Sequence, residues 1–326
     1  MIVGQLDLRS LTRLQRVSFQ GDAYVRACLE YRDLLTHVPG VLETFGDLGL
    51  SSTHRIADIH RVFRTDACAT CGDRGPLLFL PTCERCCEAC VAYYPALRLI
   101  RPSEARRYYG LSKQQCEELH ALHLPPRMVG AVGEATRLRP HTLYPKAVSA
   151  KAARDLALTV YGSEEALAQA VNHAGKGMIA PQRAKYWHEA HRASPRHNWL
   201  RRSLRDEADD TPKPPESLDS RKLAEASTML FPTLTKRPTA TLGTAMWCRG
   251  CDLTQYILAH WVDEMDQVEG EWKALVPPEY QTEKYWLPGV VLGMAKRAWS
   301  RDSFLEHVRH CPGAQRLRLY QSLYKA

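Results

Sequence analysis

The chain has 326 residues, 44% of them hydrophobic, enough for one large core or two domains; this excludes a chain that is disordered throughout. A formal charge of +8 permits contact with nucleic acid or another acidic partner without requiring it. The longest apolar run, Pro288 to Ala295, is too short to cross a bilayer, so no membrane role is expected.

At the N-terminus, Leu8, Leu11 and Leu14 recur at helical spacing, and Ser10 is the expected cap. A second helix is expected from Asp22, carrying Val25, Cys28, Leu29 and Leu35, and ended by Pro39-Gly40. A third segment runs from Gly40 to Phe45. A helix opened by Ser52 or Thr53 then carries Ile56, Ile59 and Val62 toward Cys68.

Six of the eleven cysteines lie between Cys68 and Cys90. Cys68 and Cys71 form one C-x-x-C pair, and Cys83/Cys86 and Cys87/Cys90 are two overlapping choices for a second. Two such pairs about a dozen residues apart are a zinc pattern, because each tight turn aims two thiolates at one ion. Gly72 suits the positive φ that such a turn needs. Leu77 to Leu80 has the length of a strand that links the two pairs. Disulfides are the weaker reading: no signal-peptide pattern is present and the cysteine count is odd. A redox pair would want a strand before it and a helix after it, and Cys71 is followed closely by Gly75-Pro76. The expected compartment is therefore a reducing one, the cytoplasm or the nucleus.

Beyond Cys90, the apolar stretch Ala92 to Ile100 is expected to pack on the cysteine site. Ser103 begins a short helix stopped by Gly110, and Ser112 caps another carrying Cys116, Leu119 and Leu122. Cys116 reads as a core residue rather than a ligand beside His120 and His123. Arg137 to Tyr144 is expected to be extended. A helical hairpin follows: Val148 to Tyr161, with Ala152, Leu156, Ala157 and Val160 on its apolar face, and then Ser163 to Gly175. Residues 194–222 lose apolar periodicity and alternate charge in blocks, as an exposed linker would. Arg196 to Arg205 with Trp199 is a solvated basic cluster, and nucleic acid is not the expected partner.

Near the C-terminus, Cys248-Arg249-Gly250-Cys251 is a further C-x-x-C pair. Phe304, His307, Val308 and Cys311 share one stripe of a helix capped by Ser300 and ended by Pro312-Gly313. His307 and Cys311 lie one turn apart, as two ligands on a helix must, so Cys248, Cys251, His307 and Cys311 make a Cys3His set. His310 lies off the stripe and is the second choice of histidine. Both sets offer four protein ligands and no open position, the structural type of zinc site. No phosphate loop, nucleophile elbow or H-E-x-x-H pattern is present, so no enzyme activity is expected.

Asp7-Leu8 through Val17-Ser18, then Glu30 to Leu34, the CxxCG of Cys68 to Gly72, Leu78 to Cys87, and the Cys-x-Gly-Cys with a helical His/Cys ending occur in an order similar to that of a group of fungal F-box proteins. That resemblance implies an adaptor for a cullin-type ubiquitin ligase. Leu8, Leu11, Leu14 and Val17 would then contact the Skp-type linker, and the zinc-stapled remainder would recognise an unknown protein substrate. It also implies Cys87/Cys90 as the second ligand pair, with Cys83 and Cys86 as spare thiols. The expected fold is α+β, mainly helical, with short strands and two structural zinc-binding knuckle-type sites. The expected segments are partial F-box-like helices lacking the motif's first helix (1–45), a cysteine-rich region with the helical hairpin (46–193), the linker (194–222) and a C-terminal Cys3His region (223–326). The alternative function is a zinc-stabilised module for nucleic acid or another acidic partner.

Overall fold

A side-chain cap starts the first helix. In the computed structural model, which describes residues 2–123, 146–173, 224, 227–234, 241–261, 276 and 293–323, α1 runs Leu8–Val17. Its cap is Asp7, whose carboxylate accepts from the Ser10 N–H at 2.8 Å; Ser10, the expected cap, lies inside the first turn. Ser18 caps α2 (Phe19–Ala27), and Cys28 breaks the chain before α3 (Leu29–His37). The single helix expected here is therefore two. Pro39 does not stop the run but opens α4 (Pro39–Asp47), because its missing N–H is one that a first helical turn leaves unpaired anyway. α5 (Ile56–Phe63) buries Ile56, Ile59 and Phe63.

These five helices share one core with the cysteine hairpin. Leu11, Val25, Leu34, Phe45 and Phe63 are buried together with Phe79, Cys86, Cys90 and Phe231. The α1–α2 turn is tight: a Cβ on Gly21 would lie 2.3 Å from the Leu14 carbonyl oxygen. Asp33 and His60, both buried, pair at 3.0 Å and tie α3 to α5.

The hairpin itself is β1 (Leu77–Phe79) and β2 (Glu84–Cys86), antiparallel with Leu78 opposite Arg85. β1 is the middle strand of three. Its other neighbour is β6 (Thr228–Leu230), antiparallel, with Leu78 opposite Met229. A strand from the C-terminal half thus completes the N-terminal core, so the cores do not divide along the sequence segments.

α6 (Glu88–Tyr93) follows, and then β3 (Leu99–Ile100), α7 (Pro102–Tyr109), α8 (Lys113–Glu118) and β4 (Leu122–His123). Gly110 ends α7 at φ +65, a conformation that costs glycine little. α8 stops before Leu122, which pairs in a sheet instead of continuing the helix. β5 (Lys146–Ser149) lies between β3 and β4, and Ser149 caps α9 (Ala150–Tyr161); Val148 belongs to the strand. The buried stripe of α9 is Ala150, Ala153 and Ala157, whereas Val160 is exposed. Of the expected face, Ala157 is buried and Ala152 and Leu156 pack partly against the core; only Val160 turns outward, because the inner stripe is centred on the small residues Ala150, Ala153 and Ala157. α10 (Glu164–His173) completes the hairpin and buries Leu167. Cys116 lies in this second core, away from any ligand set.

β7 (Thr233–Leu234) pairs with β8 (Leu242–Gly243). The last described part is α11 (Arg249–Trp261), α12 (Arg301–His310) and α13 (Pro312–Leu323). Pro312, like Pro39, opens a helix. The expected extended segment 137–144, the linker 194–222 and the Arg196–Arg205 cluster with Trp199 lie outside the described residues. The architecture is mainly helical with short antiparallel strands. No helix among the described residues is long and apolar enough to cross a membrane.

Candidate metal centres

The first centre begins with a short loop that folds back on itself. Gly75 N–H donates to Asp66 O at 2.7 Å, Cys68 N–H to Asp73 O at 2.6 Å, and Gly72 N–H to Cys68 O at 2.9 Å. Gly72 takes φ +79, the left-handed turn position its place after Cys71 predicts. Across from this loop, Cys87 caps α6, and its sulfur accepts from the Cys90 N–H at 3.4 Å.

The Sγ atoms of Cys68, Cys71, Cys87 and Cys90 all lie within 4.8 Å of one another, and all but the half-buried Cys71 are buried. Cys83 and Cys86 are outside this set. Cys83 sits in the left-handed region at φ +51, and the Cys86 thiol donates to Leu77 O at 3.7 Å. Burial pushes the Cys83 thiol up to about 12 and raises Cys86 well above its ordinary value, so both stay protonated.

The second centre is built where helix starts and a helix end converge. Cys248 directly precedes α11, Cys251 lies in its first turn, and His307 and Cys311 come from the last turn and the C-cap of α12. Ligand atoms of Cys248, Cys251, His307 and Cys311 fall within 4.8 Å of one another, all four residues buried. His307 uses Nε2, 3.2 Å from Cys251 Sγ. Its ring stacks on Trp299 at 4.3 Å between centroids, and the Arg297 guanidinium lies over the Trp299 ring, 4.3 Å from its centroid. His310 is exposed and pairs with Glu306 at 3.3 Å, so it is not a ligand.

The sulfur spacings decide what these groups can do. Cys71 and Cys87 lie 3.7 Å apart, Cys248 and Cys311 3.7 Å, and Cys251 and Cys311 3.8 Å. A disulfide would need about 2.05 Å. The edge of a tetrahedron with metal–sulfur bonds of about 2.3 Å is about 3.8 Å. All eleven cysteines are free thiols. The residues present therefore fit metal ions, and each of the two sets can hold one. No family model, curated protein or solved structure matches this chain.

Electrostatics points the same way. Hydrogen bonds from Cys71, Cys87 and Cys90 hold the Cys68 thiol below the ordinary range, and the same bonds push Cys87 and Cys90 up. At the second centre Cys251 and Cys311 lower Cys248, and Cys248 raises Cys251. In the ion-free cluster, burial disfavours a charged His307, yet bonds to Cys248 and Cys311 outweigh it and raise His307 to about 10, so an ion bound at Nε2 would have to displace that proton. One thiolate per cluster is easy, and further ones repel it. A bound divalent cation removes that repulsion.

Sequence reasoning missed the residues that hold the centres in place. Arg85 is buried between Cys83 and Cys86 and donates to four carbonyls: Val62 O at 3.2 Å, Gly75 O at 3.0 Å, Pro232 O at 2.5 Å, and Phe231 O. Its guanidinium also lies over the Phe231 ring at 4.7 Å. Burial lowers its pKa to about 10, so the side chain remains charged at neutral pH. It clamps the first loop to residues 146 positions away, and nothing in the local pattern around Cys86 signals that partner. The centres are also linked to each other: Glu88, inside the Cys87–Cys90 turn, pairs with Lys296 at 2.8 Å.

Arg85→Met is expected to strip the Gly75, Phe231 and Pro232 carbonyls of this donor, at about 1–3 kcal/mol each and partly relieved by relaxation, while Val62 O keeps the Thr65 N–H and hydroxyl. The metal-loaded variant should lose about 3 kcal/mol or more in urea unfolding. Arg85→Lys should recover only a fraction, because an ammonium cannot span carbonyls on three separate segments.

Proposed function

We propose that this chain is a non-catalytic protein-interaction adaptor of the F-box-like kind, its fold stapled by two structural zinc ions. The observation that carries the reading is the pair of closed four-ligand sets: each uses soft donors, four Cys in the first and three Cys with one His in the second, at tetrahedral spacing, and the second joins segments about 60 residues apart. Zinc suits that donor set and geometry better than a hard cation, which prefers oxygen ligands. Cys68, Cys71, Cys87 and Cys90 would hold one ion, and Cys248, Cys251, His307 and Cys311 the other. With four protein ligands each, the ions supply folding energy and no reactive coordination site. Substrate recognition would fall to the surfaces that the ions hold in place.

Leu11 is fully buried in the chain's own core, and Leu8 and Leu14 pack partly against it. Val17, at 77% exposure, and Phe19, at 97%, stand out at the α1–α2 corner. A Skp-type linker would therefore be held by Val17 and Phe19, with Leu11 shaping the helix from inside. Co-purification with the linker should be lost for Val17→Asp/Phe19→Asp while the circular dichroism spectrum is unchanged. Unaltered capture by that double variant, or no capture by the parent chain, would remove the linker from the proposal.

A further inference from the structure

Beside α1 lies a groove of about 730 Å³ between α1, α3 and α4. Each helix lends it one stripe. α1 contributes Arg9, Arg13 and Arg16 at i, i+4 and i+7, with Leu8 and Thr12 beside them. α3 contributes Tyr31 and Leu35, one turn apart, and α4 contributes Leu42, Glu43 and Gly46. Pro39, Gly49, Ser51 and Ser52 complete the lining.

The chemistry of the wall is two-sided. The three arginines are exposed, and none makes an ion pair with a carboxylate among the described residues. Glu43 is the one carboxylate among the described lining residues. Facing them is an apolar strip in which Leu35 is 50% exposed although Leu42 beside it is buried. A large aliphatic side chain left half in water, next to unpaired guanidinium groups, is an arrangement that a partner with both characters would satisfy.

We infer that this groove docks an acidic amphipathic helix from another protein. The arginine stripe runs about 10 Å along the α1 axis, two turns of a helical ligand. Carboxylates at i, i+3 and i+7 of such a ligand would meet Arg9, Arg13 and Arg16, and its leucines would cover Leu35 and Tyr31, the helix-in-groove mode. A single-stranded nucleic acid is the poorer fit. It needs stacking platforms, and the groove offers one half-buried tyrosine and an aliphatic wall. The inference does not rest on the adaptor reading, since neither Val17 nor Phe19 lines the groove.

The test is fluorescence anisotropy on the full metal-loaded chain. The probe is a labelled helical peptide with Glu and Leu at those spacings. Its controls are the same peptide with Lys for Glu, and an oligouridylate. The Glu peptide should bind saturably and the Lys peptide should not, with the affinity weakening as salt rises. Arg13→Glu/Arg16→Glu and, separately, Leu35→Asp should each weaken it about tenfold or more. All three positions are exposed, so an unchanged circular dichroism spectrum is expected to accompany the loss. Absence of binding, equal binding of the Lys peptide, or indifference to Leu35→Asp would overturn the inference. So would tighter binding of the oligouridylate in competition with the peptide.

Discussion

Cys90→Ser is expected to abolish metal binding at the first centre and to unfold the core around it, whereas Cys83→Ser is expected to keep the ion. The two cysteines are close in sequence, and both are buried. Cys90 contributes its sulfur to a cluster within 4.8 Å, and Cys83 does not. A serine hydroxyl is a poor substitute for a thiolate on a soft ion. Structural zinc is worth about 10–16 kcal/mol in apparent binding energy, set against a typical net stability of about 5–15 kcal/mol. Losing most of that term leaves little to hold a core whose central strand takes one partner from the C-terminal half. Cys83→Ser replaces a buried thiol by a small hydroxyl and should cost about 1–3 kcal/mol. Metal content by native mass spectrometry and chemical unfolding separate the two outcomes. If both variants lost the ion equally, the ligand set would have to be redrawn.

Gly250→Ala and Gly313→Ala should each collapse the second centre, though neither residue is a ligand. The starts of α11 and α13 meet backbone to backbone. A Cβ on Gly250 would lie 2.1 Å from the Ala314 amide nitrogen, and one on Gly313 would meet the Gly250 carbonyl oxygen and, at 2.6 Å, Thr254 Oγ1. The contacts with Ala314 N and Gly250 O are with main-chain atoms, which cannot swing aside as a side-chain tip such as Thr254 Oγ1 can. Overpacking of ordinary cores costs about 1–3 kcal/mol, and here the strain falls on the two turns that aim Cys251 and Cys311. One ion per chain should be lost and the first centre should keep its own. Gly40→Ala is the control, because a Cβ there meets nothing within 4 Å. Retention of both ions by Gly313→Ala would mean that the helix starts can separate without disturbing the ligands.

What was legible in the sequence was whatever depended on short spacing. Each C-x-x-C fixes a turn by itself, and His307 and Cys311 follow from one helical turn, so the ligand groups could be read as pairs. The choice between Cys83/Cys86 and Cys87/Cys90 was open on spacing alone. The structure resolves it because β2 ends at Cys86 and α6 starts at Glu88, which places Cys87 as a helix cap and leaves Cys86 in the strand. Features set by distant contacts were not legible. Arg85 has no local signal of its role, since its acceptors at Phe231 and Pro232 are brought near by the β1–β6 pairing. Pro39 and Pro312 read as helix stops, and each opens the next helix, because a proline signals a boundary without saying which side of it is helical. In α9, spacing picks out Ala157 but not Ala150 and Ala153, whose small side chains give no hydrophobic signal of the inner stripe.

The central claim is that two closed ligand sets each hold a structural ion, and native mass spectrometry of the purified chain, before and after chelation, tests it most directly. Two zinc ions per chain, lost to chelator together with cooperative unfolding, is the expected result. A folded chain that carries no metal, and stays folded in chelator, would contradict it.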